Sequence, residues 1–321
     1  MRMNHCIVYN ISILQEMIKK LRIYLFVLIV LSAMQTLYIV LHDWNSDTNC
    51  QVKVYENPRK VLEYLEKKTE VPEIVSKPDP YLLYIIVVSA PLNYPQRDAI
   101  RNTWGKTVSN YDSIKYSFAI GNKRVSQSDL SLVLKERDTF GDIIMLDGVE
   151  EVYTKLSRKV LQAFTWADKH IDAVYYLKTD DDSYVVIDNL YQVLTNEGLP
   201  VSRAIVGNFH HLSVPHTEGK WSEFVWFLCL YYLDFPTGVG YILTQDIVKY
   251  LSYNSDKFMH HHNEDTSLGS WVAPLKLSFL QDERIIPLGN NCDATTWLQH
   301  YITPINLRRI HSAWLDGRRL C

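Results

Sequence analysis

Ala173-Val174-Tyr175-Tyr176-Leu177-Lys178-Thr179-Asp180-Asp181-Asp182 runs from an apolar, strand-like stretch into three consecutive carboxylates. Three such groups repel one another and cannot all be buried unpaired. A strand that ends in this way is often arranged around a cation. In an open parallel sheet, ligands bind outside the carboxyl ends of the strands, which is where these acids stand. Side chains alternate along a strand, so Asp180 and Asp182 face one way and Asp181 the other. Hard oxygen donors in this pattern suit Mg²⁺ or Mn²⁺ carrying a diphosphate. A solvated acidic turn is the plain alternative, and the rest of the chain must decide.

Upstream of the strand, Val152, Tyr153, Leu156, Val160, Ala163, Phe164 and Ala167 recur at helical spacing over more than four turns. Further upstream, YLLYIIVVS (81–89) is a continuous apolar run rich in β-branched residues, the pattern of a strand covered on both faces. Between them the pattern predicts a helix over 96–104, a strand over 115–121, a helix around 128–138 and a strand over 142–146. Alternation of strand and helix argues for an α/β domain with a mostly parallel central sheet. Residues 81–321 are enough for one large domain.

The N-terminal part reads differently. Ile23–Leu41 holds 19 residues without a formal charge, close to the length that spans a hydrocarbon core. Lys19, Lys20 and Arg22 precede it, and Asp43 and Asp47 follow. The positive-inside rule then leaves residues 1–22 in the cytosol and places the C-terminal portion in the lumen. The end of the run, Leu37 to His42, is a poor cleavage sequence, which favours an uncleaved signal-anchor over a signal peptide. Residues 42–80 are polar and carry Pro58, Pro72, Pro78 and Pro80, as in a stem. The chain's net charge of −3 gives no reason to expect nucleic acid as a partner. Cys50, Cys229, Cys292 and Cys321 would be luminal, where disulfides form, and three full pairings remain open. Cys50, in the stem, also leaves a bond between two chains open, and with it a homo- or hetero-dimer.

Several blocks, in order, give the chain a resemblance to a known family. These are Arg97-Asp98-Ala99-Ile100-Arg101-Asn102-Thr103-Trp104, Phe118-Ala119-Ile120-Gly121, Glu136 through Asp147, Lys178 through Asp182, Gly238-Val239-Gly240-Tyr241, and Glu264-Asp265 with Gly269. Over roughly 82–314 the chain resembles the β1,3-glycosyltransferases of the galactosyltransferase and N-acetylglucosaminyltransferase group, including brainiac-type enzymes. The resemblance implies a GT-A-like luminal domain behind one N-terminal transmembrane helix, in a type II protein of the Golgi membrane. It implies inverting transfer of a hexose, galactose first, from a UDP-sugar to a glycan acceptor on lipid or protein. N-acetylglucosamine or N-acetylgalactosamine transfer is the nearest rival. A non-catalytic, glycan-binding or chaperone-like relative is the alternative of another class.

Site roles carry over residue by residue. The resemblance implies that Mn²⁺ is held by Asp182 and by a late histidine, His300, with His311 as the alternative. Asp180 and Asp181 would position ribose, diphosphate or metal-bound water. Arg97 and Arg101, four apart on one helix face, would lie near the donor nucleotide, and Gly238 and Gly240 would let backbone approach the ligand. Asp265 is the candidate base for the acceptor hydroxyl, although an Asp there also suits a helix cap; Glu264 is the less favoured base. His260–His262 and the His210, His211, His216 group read as loop histidines. Trp221, Trp226, Tyr231 and Tyr232 could stack on sugar faces, but most such aromatics are core or membrane-facing surface, and they are not counted among the site residues. The departures are Lys155 where the family has Asn, Leu233 and Phe235 where it has Pro and Tyr, and Thr266 where it has Val. They remove no proposed catalytic group but put donor and acceptor preference in doubt.

Overall fold

The computed structural model describes residues 80–317, apart from 225, 227–229 and 288–292. The expected cytosolic tail at 1–22, the expected anchor at 23–41, the expected stem up to residue 79 and every cysteine lie outside the described residues. Among those described, no helix is long and apolar enough to cross a membrane.

A seven-stranded sheet organises the chain. Its strands are β1 (Tyr81–Val88), β2 (Ile114–Lys123), β3 (Ile143–Glu150), β4 (Ala173–Asp180), β6 (Ala204–His210), β7 (Phe235–Thr244) and β8 (Ser278–Gln281), in the order β3-β2-β1-β4-β7-β6-β8. The pairs β3–β2, β2–β1, β1–β4 and β6–β8 are parallel, while β7 runs antiparallel to both β4 and β6. The sheet is therefore mostly parallel, as the strand–helix alternation implies, with one reversed strand beside the acidic one. A small sheet of β5 (Tyr184–Val185), β10 (Leu298–Gln299) and β9 (Ile285–Ile286) sits at the same end.

The helices are α1 (Tyr94–Arg101), α2 (Trp104–Val108), α3 (Gln127–Phe140), α4 (Leu156–His170), α5 (Ile187–Asn196), α6 (Gln245–Tyr253), α7 (Glu264–Val272) and α8 (Pro304–Leu315). They cover both faces, so β1 has no solvent side. Leu83, Ile85 and Val87 join one core and Tyr84, Ile86 and Val88 the other. That two-sided burial is why its sequence is a continuous apolar run.

Two helix expectations are corrected. The helix expected over 96–104 breaks at Asn102–Thr103. There the Thr103 hydroxyl donates to the Ala99 carbonyl at 2.7 Å, and Trp104 swings in to donate its indole N–H to the Ser183 carbonyl at 3.0 Å. The helix expected from Val152 starts only at Leu156. Tyr153–Lys155 forms a tight turn instead, and Val152 and Tyr153 stay exposed on the wall of a cleft.

Candidate active site

The cleft, of about 890 Å³, opens at the carboxyl ends of β1 and β4, where Val88 pairs with Asp180. β4 stops at Asp180, and the chain turns through Asp181 and Asp182. His300 Nε2 lies 2.8 Å from Asp182 Oδ1 and 3.5 Å from Asp180 Oδ2. The small sheet brings His300 there. Gln299 pairs with Tyr184, and the Ile302 N–H donates to the Asp182 carbonyl at 2.8 Å, which folds the late segment over the acidic turn. Tyr301, between them, takes a left-handed φ of 59°. His311 is placed elsewhere: its Nδ1 bonds the Tyr184 hydroxyl at 2.9 Å and it lines no part of the cleft.

Asp180, Asp182 and His300 each offer one ligand atom, all within 4.8 Å of one another. Burial works against charge on His300, yet the two carboxylates outweigh it and raise its pKa to about 9. A site that pulls a proton this strongly onto an imidazole favours positive charge at that point. The imidazole's buried Nδ1 has no protein partner. Two carboxylate oxygens and an imidazole nitrogen are donors of the kinds that divalent metals take. The residues present thus fit a divalent cation.

Lys178, which the sequence reading left without a role, is the hub behind this triad. Its ammonium is wholly buried and lies 2.9 Å from Asp180 and 2.5 Å from Glu264; it also donates to the Gly238 carbonyl. Burial opposes its charge, but Asp180 and Glu264 more than offset that and hold it protonated. One lysine faces more carboxylates than it can neutralise, and burial pushes Glu264 up to about 7 against the pull of Lys178, with Asp265 adding to the rise. The signal was present in the sequence, since a lysine inside an apolar strand run must be paired to be buried.

Asp265 stands in the first turn of α7, after Asn263, which takes the extended backbone of the residue that starts the helix. Its Oδ1 accepts the Thr266 N–H at 2.8 Å and its Oδ2 the Gly238 N–H at 3.2 Å, so both oxygens are oriented. Burial raises its pKa, against the pull of the Thr266 N–H and Lys178, and so makes it a better proton acceptor. Glu264 also borders the cleft, but its carboxylate is taken up by Lys178 and by the Tyr241 hydroxyl at 3.2 Å. Gly238 lines the cleft, and a β-carbon there would meet Asp265 Oδ2 at 3.2 Å. Gly240 serves packing instead. It lies outside the cleft lining, and its β-carbon would strike the Leu298 side chain.

Asp181 turns away from the triad, as strand alternation implies, and its carboxylate accepts from Asn93 at 2.9 Å. Burial lifts its pKa to about 6, against hydrogen bonds from Ser89 and Asn93. Arg97 and Arg101, expected near the donor nucleotide, do not line the cleft. Arg97 is fully buried, binds the Glu136 carboxylate through Nε at 2.9 Å and Nη2 at 2.6 Å, and bonds Ser89 Oγ and the carbonyls of Ala90 and Pro91. Arg101 pairs with Glu136 at 2.7 Å and Asp142 at 2.7 Å, with its guanidinium over the Phe140 ring. Carboxylates on α3 and before β3 claim both arginines, and Arg97 also holds the Ser89–Pro91 loop in shape at the cleft edge.

Arg97→Met should accordingly cost about 3 kcal/mol, the low end for breaking a buried ion pair, because Arg101 still reaches Glu136. That corresponds to a fall of roughly 10 °C in Tm for a domain of this size, measured by thermal unfolding. Loss of UDP affinity with an unchanged Tm would instead return Arg97 to the nucleotide.

The galactosyltransferase family profile matches residues 95–283. β-1,3-Galactosyltransferase 6 of Mus musculus is 30% identical over 244 residues, covering 74% of this chain and 75% of that one. UDP-GalNAc:β-1,3-N-acetylgalactosaminyltransferase 2 of Xenopus laevis is 32% identical over 180 residues, covering 56% of this chain but 36% of the relative. Among solved structures, a mannosyltransferase of Pyrobaculum calidifontis in complex with GDP-Man and Mn²⁺ overlaps at a TM-score of 0.41 with 11% identity, covering 81% of this chain and 72% of that one. An overlap so loose carries no weight for fold or ligand. The profile takes in the strand with its acidic end, the glycine strand and Asp265, and the mouse relative matches most of both chains, so the chain belongs to the galactosyltransferase family.

Proposed function

We propose that this glycosyltransferase moves galactose from UDP-galactose to a glycan hydroxyl, forming a β1,3 linkage with inversion and depending on Mn²⁺. The observation that carries the reading is the pairing, in one cleft, of the Asp180–Asp182–His300 cluster with a half-buried, doubly oriented Asp265. Asp182 and His300, with Asp180, would hold the cation, which when bound supplies Lewis acidity to the donor's diphosphate.

The remaining roles fall to the chain's own side chains. Asp265 takes the proton of the acceptor hydroxyl as that oxygen bonds to the sugar's C1. The bond from C1 to the diphosphate oxygen breaks, and its electron pair leaves with UDP. Attack opposite the leaving group inverts the α-linked donor to a β product. Lys178 ties Asp180 to Glu264 and donates to the Gly238 carbonyl, so the acidic turn and the Asp265 helix keep one spacing. Asn93, through Asp181, holds the loop after β1 against that turn.

Calorimetric titration of the protein with UDP, with and without Mn²⁺, tests the site without any assumption about the acceptor. Mn²⁺-dependent binding is expected, and folded protein that binds no UDP would sink the reading. N-acetylgalactosamine transfer is the second reading, favoured by the Xenopus laevis relative's activity. Rates of hydrolysis of UDP-galactose against UDP-N-acetylgalactosamine separate the two.

A further inference from the structure

Tyr153, Lys220 and Trp221 form a cluster in the cleft that transfer, as described, leaves unused. Tyr153 stands on the turn ahead of α4 and is 41% exposed, and Trp221, on the loop between β6 and β7, is 48% exposed. Trp221 and Tyr153 both line the cleft wall. Lys220 Nζ lies 4.8 Å from the Tyr153 ring centroid, and the His262 ring 5.9 Å away. All four residues line the same cleft as Asp265. Burial raises the Tyr153 hydroxyl to about 12, and the charges of Asp265 and Asp180 add to the rise. The hydroxyl is thus within electrostatic reach of both the base and the metal-binding end.

This wall is built onto the catalytic helix. The Trp221 carbonyl accepts from the Asn263 side chain at 3.0 Å. The buried Glu223 carboxylate accepts the His262 N–H at 2.9 Å. Glu223 donates its own N–H to the His216 carbonyl at 2.8 Å, and His216 bridges to Ser222. His262 and Asn263 lead directly into α7, so these bonds lock the Trp221 segment to the backbone that presents Asp265. Trp226, farther along the same loop, packs edge-on against Tyr232 and His261.

Resting on the transferase reading, we propose that Trp221, Tyr153 and Lys220 form the acceptor subsite. The apolar face of a pyranoside ring stacks on the Trp221 indole, and its hydroxyls bond Lys220 and the Tyr153 hydroxyl, so that one hydroxyl meets Asp265. The chemistry suits the parts. Sugar rings present C–H groups on one face, indole offers a flat π surface, and an ammonium held over Tyr153 has donors to spare.

The test uses p-nitrophenyl β-glycosides of galactose, xylose, N-acetylglucosamine and N-acetylgalactosamine as acceptors, with UDP-galactose and Mn²⁺. Trp221→Ala should raise acceptor KM by about 10-fold, leaving UDP Kd and donor hydrolysis unchanged, and Trp221→Phe should recover most of the loss. An unchanged acceptor KM, or a fall in UDP affinity that matches the loss of transfer, overturns the subsite. So does a wild-type protein that binds UDP but uses none of these pyranosides. Absence of UDP binding to the wild type is a separate result, which removes the transferase reading itself.

Discussion

Asp265→Asn is expected to slow sugar transfer by about 10²- to 10⁴-fold, the usual contribution of a positioned general base, with UDP affinity retained. An amide does not take up the acceptor's proton at neutral pH. The change is nearly isosteric, and the carboxamide oxygen can still accept one of the two backbone N–H groups, from Thr266 or Gly238, that the carboxylate holds. Glu264 cannot substitute for it. Its carboxylate is turned inward onto Lys178 and Tyr241 and is 4% exposed. Steady-state transfer rates beside a UDP titration decide the matter. Full turnover by the variant would refute the role, and equal loss of transfer and of UDP binding would mean that the helix start had shifted.

Asp182→Ala is expected to remove Mn²⁺-dependent UDP binding, a loss on the order of 100-fold. Stabilising phosphate charge through a metal is worth several kcal/mol, and about 1.4 kcal/mol is tenfold. The backbone cross-link to the late segment survives, because Ile302 bonds the Asp182 carbonyl rather than its side chain. The variant should therefore fold, leaving His300 with Asp180 as its remaining carboxylate partner in the triad. The difference in UDP affinity with and without Mn²⁺ is the readout. A variant that keeps the wild-type metal dependence would take Asp182 out of the ligand set.

The strands were legible because their signal is local. Tyr81–Val88 and Ala173–Leu177 are apolar on every residue because both sides are covered, and that pattern needs no knowledge of what covers them. The opposed facing of Asp181 and its two neighbours followed from alternation in the same way, although the strand ends at Asp180. Val152 and Tyr153 misled for the converse reason. Apolar residues at helical spacing were counted onto a helix, whereas the fold uses Tyr153 in a turn where it meets Trp221 and Lys220. Arg97 and Arg101 share a helix face as their spacing implies, but spacing says nothing of what that face meets, and Glu136 and Asp142 meet it.

By itself the sequence determined a mostly parallel α/β sheet, the acidic end of its fourth strand, an acid pair opening a late helix and the family to which the chain belongs. The tertiary structure alone decided that His300 rather than His311 joins the acidic turn, that Lys178 joins Asp180 to Glu264, that both arginines serve the fold and that Trp221 faces the cleft. The division has a physical cause. Burial and alternation repeat along the backbone and leave a periodic record in the residues. The meeting of side chains from distant segments depends on strand order and on cross-links such as Gln299 to Tyr184 and Asn263 to Trp221, which no local pattern encodes.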